Sequence, residues 1–459
     1  MDHRIIRLHL YLCCFLLFIS SAGIALAQKS LLRSGPMLGY VEMQEANLWV
    51  QTTKPADIEI AYWPEGDPGT KSRVGMHSKA VNSNTAKFKL PDLEPGTTYK
   101  YGVYINGKRI KFSYPTRFTT QPLWQWRREP DSLAFAIGSC LYVNDKPYDR
   151  PGEPYGTSPE ILESIAAKDP DLMIWMGDNV YYREPDFYSV PRMDYRYADA
   201  RDTPELQPLL ARAVNLAIWD DHDYGPNNSD RTYRMREEAL MIFKRYWLNP
   251  GYGIMDAPGA FTRYLYQDVE FFLMDDRFYR APNDLKDESK AYFGEKQLRW
   301  LMDAVVNSEA SFKIIVNGNQ STNRKLDHES FANYRMEFEK FMQFLKVQQI
   351  EGVLFLSGDL HYAQLLKTER PGLYPIYEYT SSPLTAGVFE VAESESSYDN
   401  PQHVEGTLVM DYNFGLIKVT GKRGSRILTI ENYDRNGKRN WSRRISQKEL
   451  RIEGGRPDR

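Results

Sequence analysis

Cysteine is almost missing from this chain. Of 459 residues three are cysteine, and Cys13 and Cys14 fall within the first apolar stretch. That stretch, Leu8 to Ile19, follows the basic residues Arg4 and Arg7 and precedes the small-x-small signal Ala25-Leu26-Ala27. The order is that of a secretory leader cleaved near Ala27, which leaves a mature chain from about Gln28 and a periplasmic or extracellular protein. The apolar run is short for a bilayer-spanning helix of roughly 20 residues, and no second run could span one. Cys13 and Cys14 lack the small neighbours of a lipid-anchor site. With the leader gone Cys140 is the remaining thiol, so an internal disulfide is excluded. Charge of one sign is also lacking: 58 Lys and Arg against 61 Asp and Glu give a net −3. No broad attraction to nucleic acid or to an anionic membrane follows from that balance. Internal repeats are absent, and a monomer is expected.

What is present is core material. Hydrophobic residues make up 42% of the chain and aromatics 13%. At about 150 residues per domain this length suits two or three domains. Residues 28–122 are expected to form the first, a β-sandwich. Short alternating runs such as Ile58-Glu59-Ile60-Ala61-Tyr62-Trp63 are broken by Pro and Gly, and Asn106-Gly107 marks a hairpin turn. Leu93-Glu94-Pro95-Gly96-Thr97-Thr98-Tyr99 resembles the tyrosine corner of fibronectin type III sandwiches. Residues 121–131, with Pro122 and Pro130, read as a linker.

The pattern changes over 130–446, the expected catalytic domain. Apolar runs at 133–137, 172–176, 216–219, 271–274, 314–316 and 353–356 end abruptly in polar clusters. Uninterrupted apolar runs this short predict strands buried on both faces. Helical segments are predicted over 158–168, 204–213, 230–247, 294–308 and 330–349, which gives a mixed α/β architecture. Residues 391–402 read as a polar loop, 413–446 as two closing strands, and 447–459 as a tail.

Sites of α/β sheets gather at the carboxyl ends of strands. Here those ends carry Gly138-Ser139-Cys140, Gly177-Asp178-Asn179, Asp220-Asp221-His222-Asp223, Asp275-Asp276-Arg277, Asn317-Gly318-Asn319-Gln320 and Ser357-Gly358-Asp359-Leu360-His361. One thiolate, several carboxylates, two imidazoles and Tyr181 together suit hard cations beside a trivalent or transition metal. Paired metals clamp the attacking and leaving oxygens of a displacement at phosphorus. Singly, each residue has a plainer use. Asp178 and Asp359 could cap helices, Asn319 and Gln320 could satisfy a turn, and Arg277 and Arg280 could form a salt-bridged rim.

In this order the motifs, with Tyr379-Thr380-Ser381-Ser382 after them, resemble the PhoD-type alkaline phosphatases. These are distant relatives of the calcineurin-like and purple acid phosphatases. The resemblance implies an αββα sandwich behind a fibronectin-like module, and hydrolysis of phosphate esters by metal-activated water. It implies iron (Fe3+) on Cys140, Asp178, Tyr181 and His361. Calcium would share Asp178 with Asp221, Asp359 and Asn227. Asp221 and His222 become the catalytic pair, with His222 and an arginine facing the phosphate, Arg277 with Arg183 and Arg196 as rivals, and Asp220 and Asp223 orienting their neighbours. The stretch Trp219-Asp220-Asp221-His222-Asp223-Tyr224-Gly225-Pro226-Asn227-Asn228 departs from many members, which have glutamate after the histidine. That departure leaves Asn227 and Asn228 as rivals. The expected substrates are small phosphate monoesters. The alternatives are a phosphodiesterase or phospholipase on the same cluster, and a non-catalytic metal- or carbohydrate-binding surface protein.

Overall fold

A computed structural model describes residues 31–324, 329–389 and 400–452. The expected leader, most of the 391–402 loop and the last residues of the tail lie outside these.

Side-chain alternation sorts the strand Leu172–Met176 between two cores. Leu172, Ile174 and Met176 share a core with Phe271, Leu273 and Ile314 of a second sheet. Met173 and Trp175 point the other way, among Ile161, Leu210 and Trp247. A strand so placed has no solvent face, which is why its sequence is continuously apolar. Its neighbours Val214–Ile218 and Leu133–Gly138 pair with it in parallel. Antiparallel strands Asn413–Thr420, Ile427–Asp434 and Arg439–Ser446 complete this six-stranded sheet. The expectation of two strands over 413–446 is corrected to three. The turns at 421–424 and 436–437 each reverse the chain, and two reversals join three strands.

The second sheet runs in the spatial order Thr262–Tyr266, Val269–Leu273, Phe312–Val316, Val353–Ser357, Ile376–Thr380 and Gln364–Thr368. Phe135 and Phe271 meet across the two sheets edge to face, with centroids 5.0 Å apart. Helices cover the outer faces: Glu160–Ala167, Val190–Arg201 and Arg236–Tyr246 on one side, Glu295–Asn307 and Arg335–Val347 on the other. The mixed α/β expectation holds.

Helix Val190–Arg201 was not predicted as an element. Among its buried positions, Met193, Arg196, Tyr197, Ala200 and Arg201 do have helical spacing. Two of them are arginines, so the buried stripe does not read as apolar.

The N-terminal domain is built from a three-stranded and a five-stranded sheet that share one core. The backbone N–H of Glu94 donates to the Tyr99 hydroxyl at 2.9 Å, tying the turn to the strand Thr98–Ile105. This domain packs directly on the other. Asn215 Nδ2 donates to the Leu38 carbonyl at 3.2 Å, and Trp49 Nε1 donates to the Arg245 carbonyl at 3.0 Å. Among the described residues no helix is long and apolar enough to cross a membrane.

Candidate metal centre

Gly177 and Gly318 let the strand ends converge. Gly177 holds φ at +89°, and a Cβ there would lie 2.6 Å from the Asp220 Cβ. A Cβ on Gly318 would lie 2.7 Å from the Asp220 Cγ and 2.9 Å from Asp276 Oδ2. Contacts that close are not available to any side chain, so glycine at these positions allows the loops to pack on one another.

The residues so gathered form three overlapping donor groups. Cys140, Asp178 and His361 make the first, Asp178, Asp221 and His222 the second, and Asp220, Asp221 and Asp359 the third. Within each group the donor atoms lie within 4.8 Å of one another. Asp178 belongs to two groups and Asp221 to two. A carboxylate has two oxygens and can serve a cation on each side.

Around the first group, Cys140 Sγ is 3.7 Å from Asp178 Oδ2, and the Tyr181 hydroxyl is 3.3 Å from His361 Nε2. The Gly387 carbonyl accepts from His361 Nδ1, which leaves Nε2 free to face the cluster. The Ser382 hydroxyl donates to Cys140 Sγ at 3.1 Å and accepts the backbone N–H of His361 at the same distance. In the second group the backbone N–H of His222 donates to Asp178 Oδ1 at 3.2 Å, and its ring lies against Tyr181 with centroids 4.3 Å apart.

Four of these residues hold a backbone that side chains avoid. Cys140, Asp178, Asp359 and His361 have φ of 59°, 51°, 68° and 58°. Left-handed backbone costs an L-residue roughly 1–2 kcal/mol, and Asp and His tolerate it better than Cys. Four such residues at one site mark it as more than a set of turns, since turns would use glycine or asparagine.

The electrostatics also suit cations. Burial, then Asp178 and Asp359, pushes the Cys140 thiol well above its usual range. Burial, then Asp221, does the same to the Asp178 carboxyl. Asp359 is raised by burial and by Glu329. Burial also opposes ionisation of Asp221, but His222 and Arg277 outweigh it and bring Asp221 down to about 2. Asp221 Oδ1 is buried without a protein partner. Buried acids crowded this closely stay ionised only beside positive charge. The mixture of sulfur, nitrogen and oxygen donors fits a transition metal beside a harder cation.

The other predicted residues fall differently. Asn227 is exposed, and its amide donates to Asn228 Oδ1 at 3.0 Å. The group that touches Asp221 is the backbone N–H of Asn228, 2.6 Å from Oδ2. The extra turn through Gly225 and Pro226 thus presents backbone rather than an amide side chain to the cluster. Arg277 is fully buried and lies in neither a rim nor an open pocket. Its Nε donates to Asp220 Oδ1 at 2.6 Å, and Nη1 reaches Glu329 at 3.3 Å. Its guanidinium is buried against Asp220 and Glu329 as ion pairs, which corrects the expectation of a phosphate contact. Arg183 is paired with Asp149, and Arg196 with Asp186 and Asp145. Asp223 accepts from the backbone and side chain of Asn179 and from the backbone of Asp220. It braces the loops that carry Asn179 and Asp220.

Sequence reasoning missed three participants. Asp220 joins a donor group as well as orienting its neighbours. Ser382 holds the thiol, and its motif had been noted without a role. Glu329 closes the arginine network through Arg277 and Arg280, and no sequence signal marks it.

Comparison with known proteins agrees with this geometry. Residues 29–123 match a family model described as a domain of unknown function (DUF7800), and residues 258–426 match the PhoD-like phosphatase model. Alkaline phosphatase D of Bacillus subtilis (strain 168) is 23% identical over 411 residues, spanning 74% of this chain and 68% of that protein. The fold is similar to the solved structure of PhoD, with a TM-score of 0.74 and 14% identity over 93% of this chain and 94% of that one. It is also similar to purple acid phosphatase PPD1 from yellow lupin (Lupinus luteus) seeds, with a TM-score of 0.61 and 14% identity over 90% and 74% of the two chains. Over residues 258–426 the chain is similar to the PhoD-like phosphatases.

Proposed function

We propose that this protein is an exported phosphatase that hydrolyses phosphate monoesters at a mixed iron and calcium centre. The carrying observation is the pair of shared carboxylates: Asp178 and Asp221 each link two donor groups into one chain of sites. Cys140, Asp178, Tyr181 and His361 would hold iron; Asp178, Asp221 and Asp359 would hold calcium, with Asp220 reinforcing the oxygen-rich end. When bound, the cations supply Lewis acidity that activates water and offsets charge on the phosphoryl oxygens. His222 would orient the ester. Burial lowers its pKa, with Asp221 opposing, and a neutral imidazole can both accept and donate a hydrogen bond. Asp223 and Asn179 hold the second and third strand ends in register. Tyr181 lies between His222 and His361 and fixes the separation of the two rings.

The N-terminal domain is read as a fibronectin type III-like support. The bond from Glu94 to Tyr99 favours that reading. Export to the periplasm or beyond rests on the leader sequence.

The test is metal analysis of the purified protein beside phosphate release from a monoester and a bis-ester. Cys140→Ala and Asp178→Ala should each lose metal and activity. Full activity and metal content in both would reject the reading. Faster turnover of the bis-ester would move the assignment to a phosphodiesterase.

A further inference from the structure

The N-terminal domain carries a cleft of about 520 Å3 that the chemistry above does not use. It opens where the segment after strand Thr98–Ile105 folds back along that strand, and Trp63 of strand Asp57–Pro64 also lines it. Lys100, Arg109, Lys111 and Arg117 line it, and no acidic residue does. Four cations along one cleft are unexpected in a chain of net charge −3. Lys100 is paired with Glu65 at 2.8 Å. Arg109, Lys111 and Arg117 are exposed and engage no salt bridge among the described residues.

Between the cations lies aromatic surface. Trp63, Phe112 and Tyr114 are all partly exposed there. Phe112 and Tyr114 contact each other with centroids 5.3 Å apart, and Lys71 Nζ stands 4.9 Å from the Trp63 centroid. The volume lies within the roughly 300–1,000 Å3 of small-ligand sites.

We infer that this cleft binds an acidic saccharide. Pyranose rings offer apolar C–H faces to aromatic side chains, and carboxylate or phosphate substituents pair with Arg and Lys. A purely apolar ligand would leave the cations unused. A neutral sugar would leave them unpaired. A long nucleic acid would meet a protein of net negative charge beyond the cleft.

The cleft lies away from the metal donors. Arg117 also lines a notch with Asp169, Asp171 and Arg212, which come before the strands Leu172–Met176 and Val214–Ile218. The donors follow those same strands. A five-residue strand spans about 17 Å. The site therefore tethers the protein to a polymer and leaves the chemistry untouched.

Binding of tetragalacturonate, a carboxylated tetrasaccharide, is to be titrated calorimetrically against the full chain, with cellotetraose and a single-stranded decathymidylate alongside. Tetragalacturonate should bind at least tenfold more tightly than either. Lys111→Glu and Trp63→Phe should each weaken it at least fivefold, with phosphate release from a small monoester unchanged. Both variants should keep the thermal midpoint of the parent. No binding of tetragalacturonate, equal binding by the variants, or tighter binding of decathymidylate or cellotetraose would each overturn the inference.

Discussion

Arg277 Nε donates to Asp220 Oδ1 at 2.6 Å, with both side chains sealed from solvent. The pair places a fixed positive charge behind the most acidic part of the cluster. Arg277→Met would leave Asp220 buried and uncompensated. A loss of about 3–5 kcal/mol is expected, read by urea unfolding. Arg277→Lys should recover only part of it, because an ammonium lacks the planar fork that also reaches Glu329. A direct phosphate contact would instead raise KM at unchanged stability.

Gly318→Ala should destabilise by about 1–3 kcal/mol, since the new methyl must displace Asp220 or Asp276. Gly75→Ala is the control. A Cβ there meets nothing closer than 3.7 Å, and the strand should gain up to about 1 kcal/mol. Paired unfolding curves decide between them.

Asp223→Asn should lower activity by about 10–100-fold while the protein stays folded, since Asp223 braces Asn179 and Asp220. Cys140 and Asp178 variants should lose metal outright. Chelation of the parent should lower its thermal midpoint, because a cation bound at 100 times its Kd stabilises by about 2.7 kcal/mol. Calorimetry before and after chelator checks this.

Lys87 gives a pH signature at the interface of the domains. Its Nζ donates to the Trp247 carbonyl at 2.9 Å, near Arg245 and Lys244. Burial first, then those two cations, lowers its pKa from 10.5 to about 8. Between these values the unfolded chain holds more protons, so this group's contribution to stability rises with pH. Below about pH 8 the penalty is fully present. The stability difference between the parent and Lys87→Met should therefore shift in favour of the parent from pH 7.5 to pH 10. A flat difference in denaturant midpoints would contradict it.

The strand ends were legible because burial on both faces makes a strand apolar throughout, and the change to Asp, His or Cys is then abrupt. Cys140, Asp178 and Asp359 stood out for this reason, and the structure gathers them. Helix Val190–Arg201 was hidden because Arg196 and Arg201 occupy its buried positions, neutralised by Asp186 and Asp145 or laid over Trp247. Those partners are distant in sequence or contributed by ring faces, and no local pattern encodes them. Glu329 was illegible for the same reason. Its role comes from Arg277 and Arg280, about fifty residues away in sequence. Asn227 was misplaced because one inserted turn exchanges backbone for side chain, and composition does not distinguish the two.

The left-handed backbone at Cys140, Asp178, Asp359 and His361 sets a trap for directed evolution. Selection for heat resistance alone would favour glycine or asparagine at all four positions. The winner of that selection would fold well and bind no metal. Libraries made from this protein should be screened for turnover and melting temperature together.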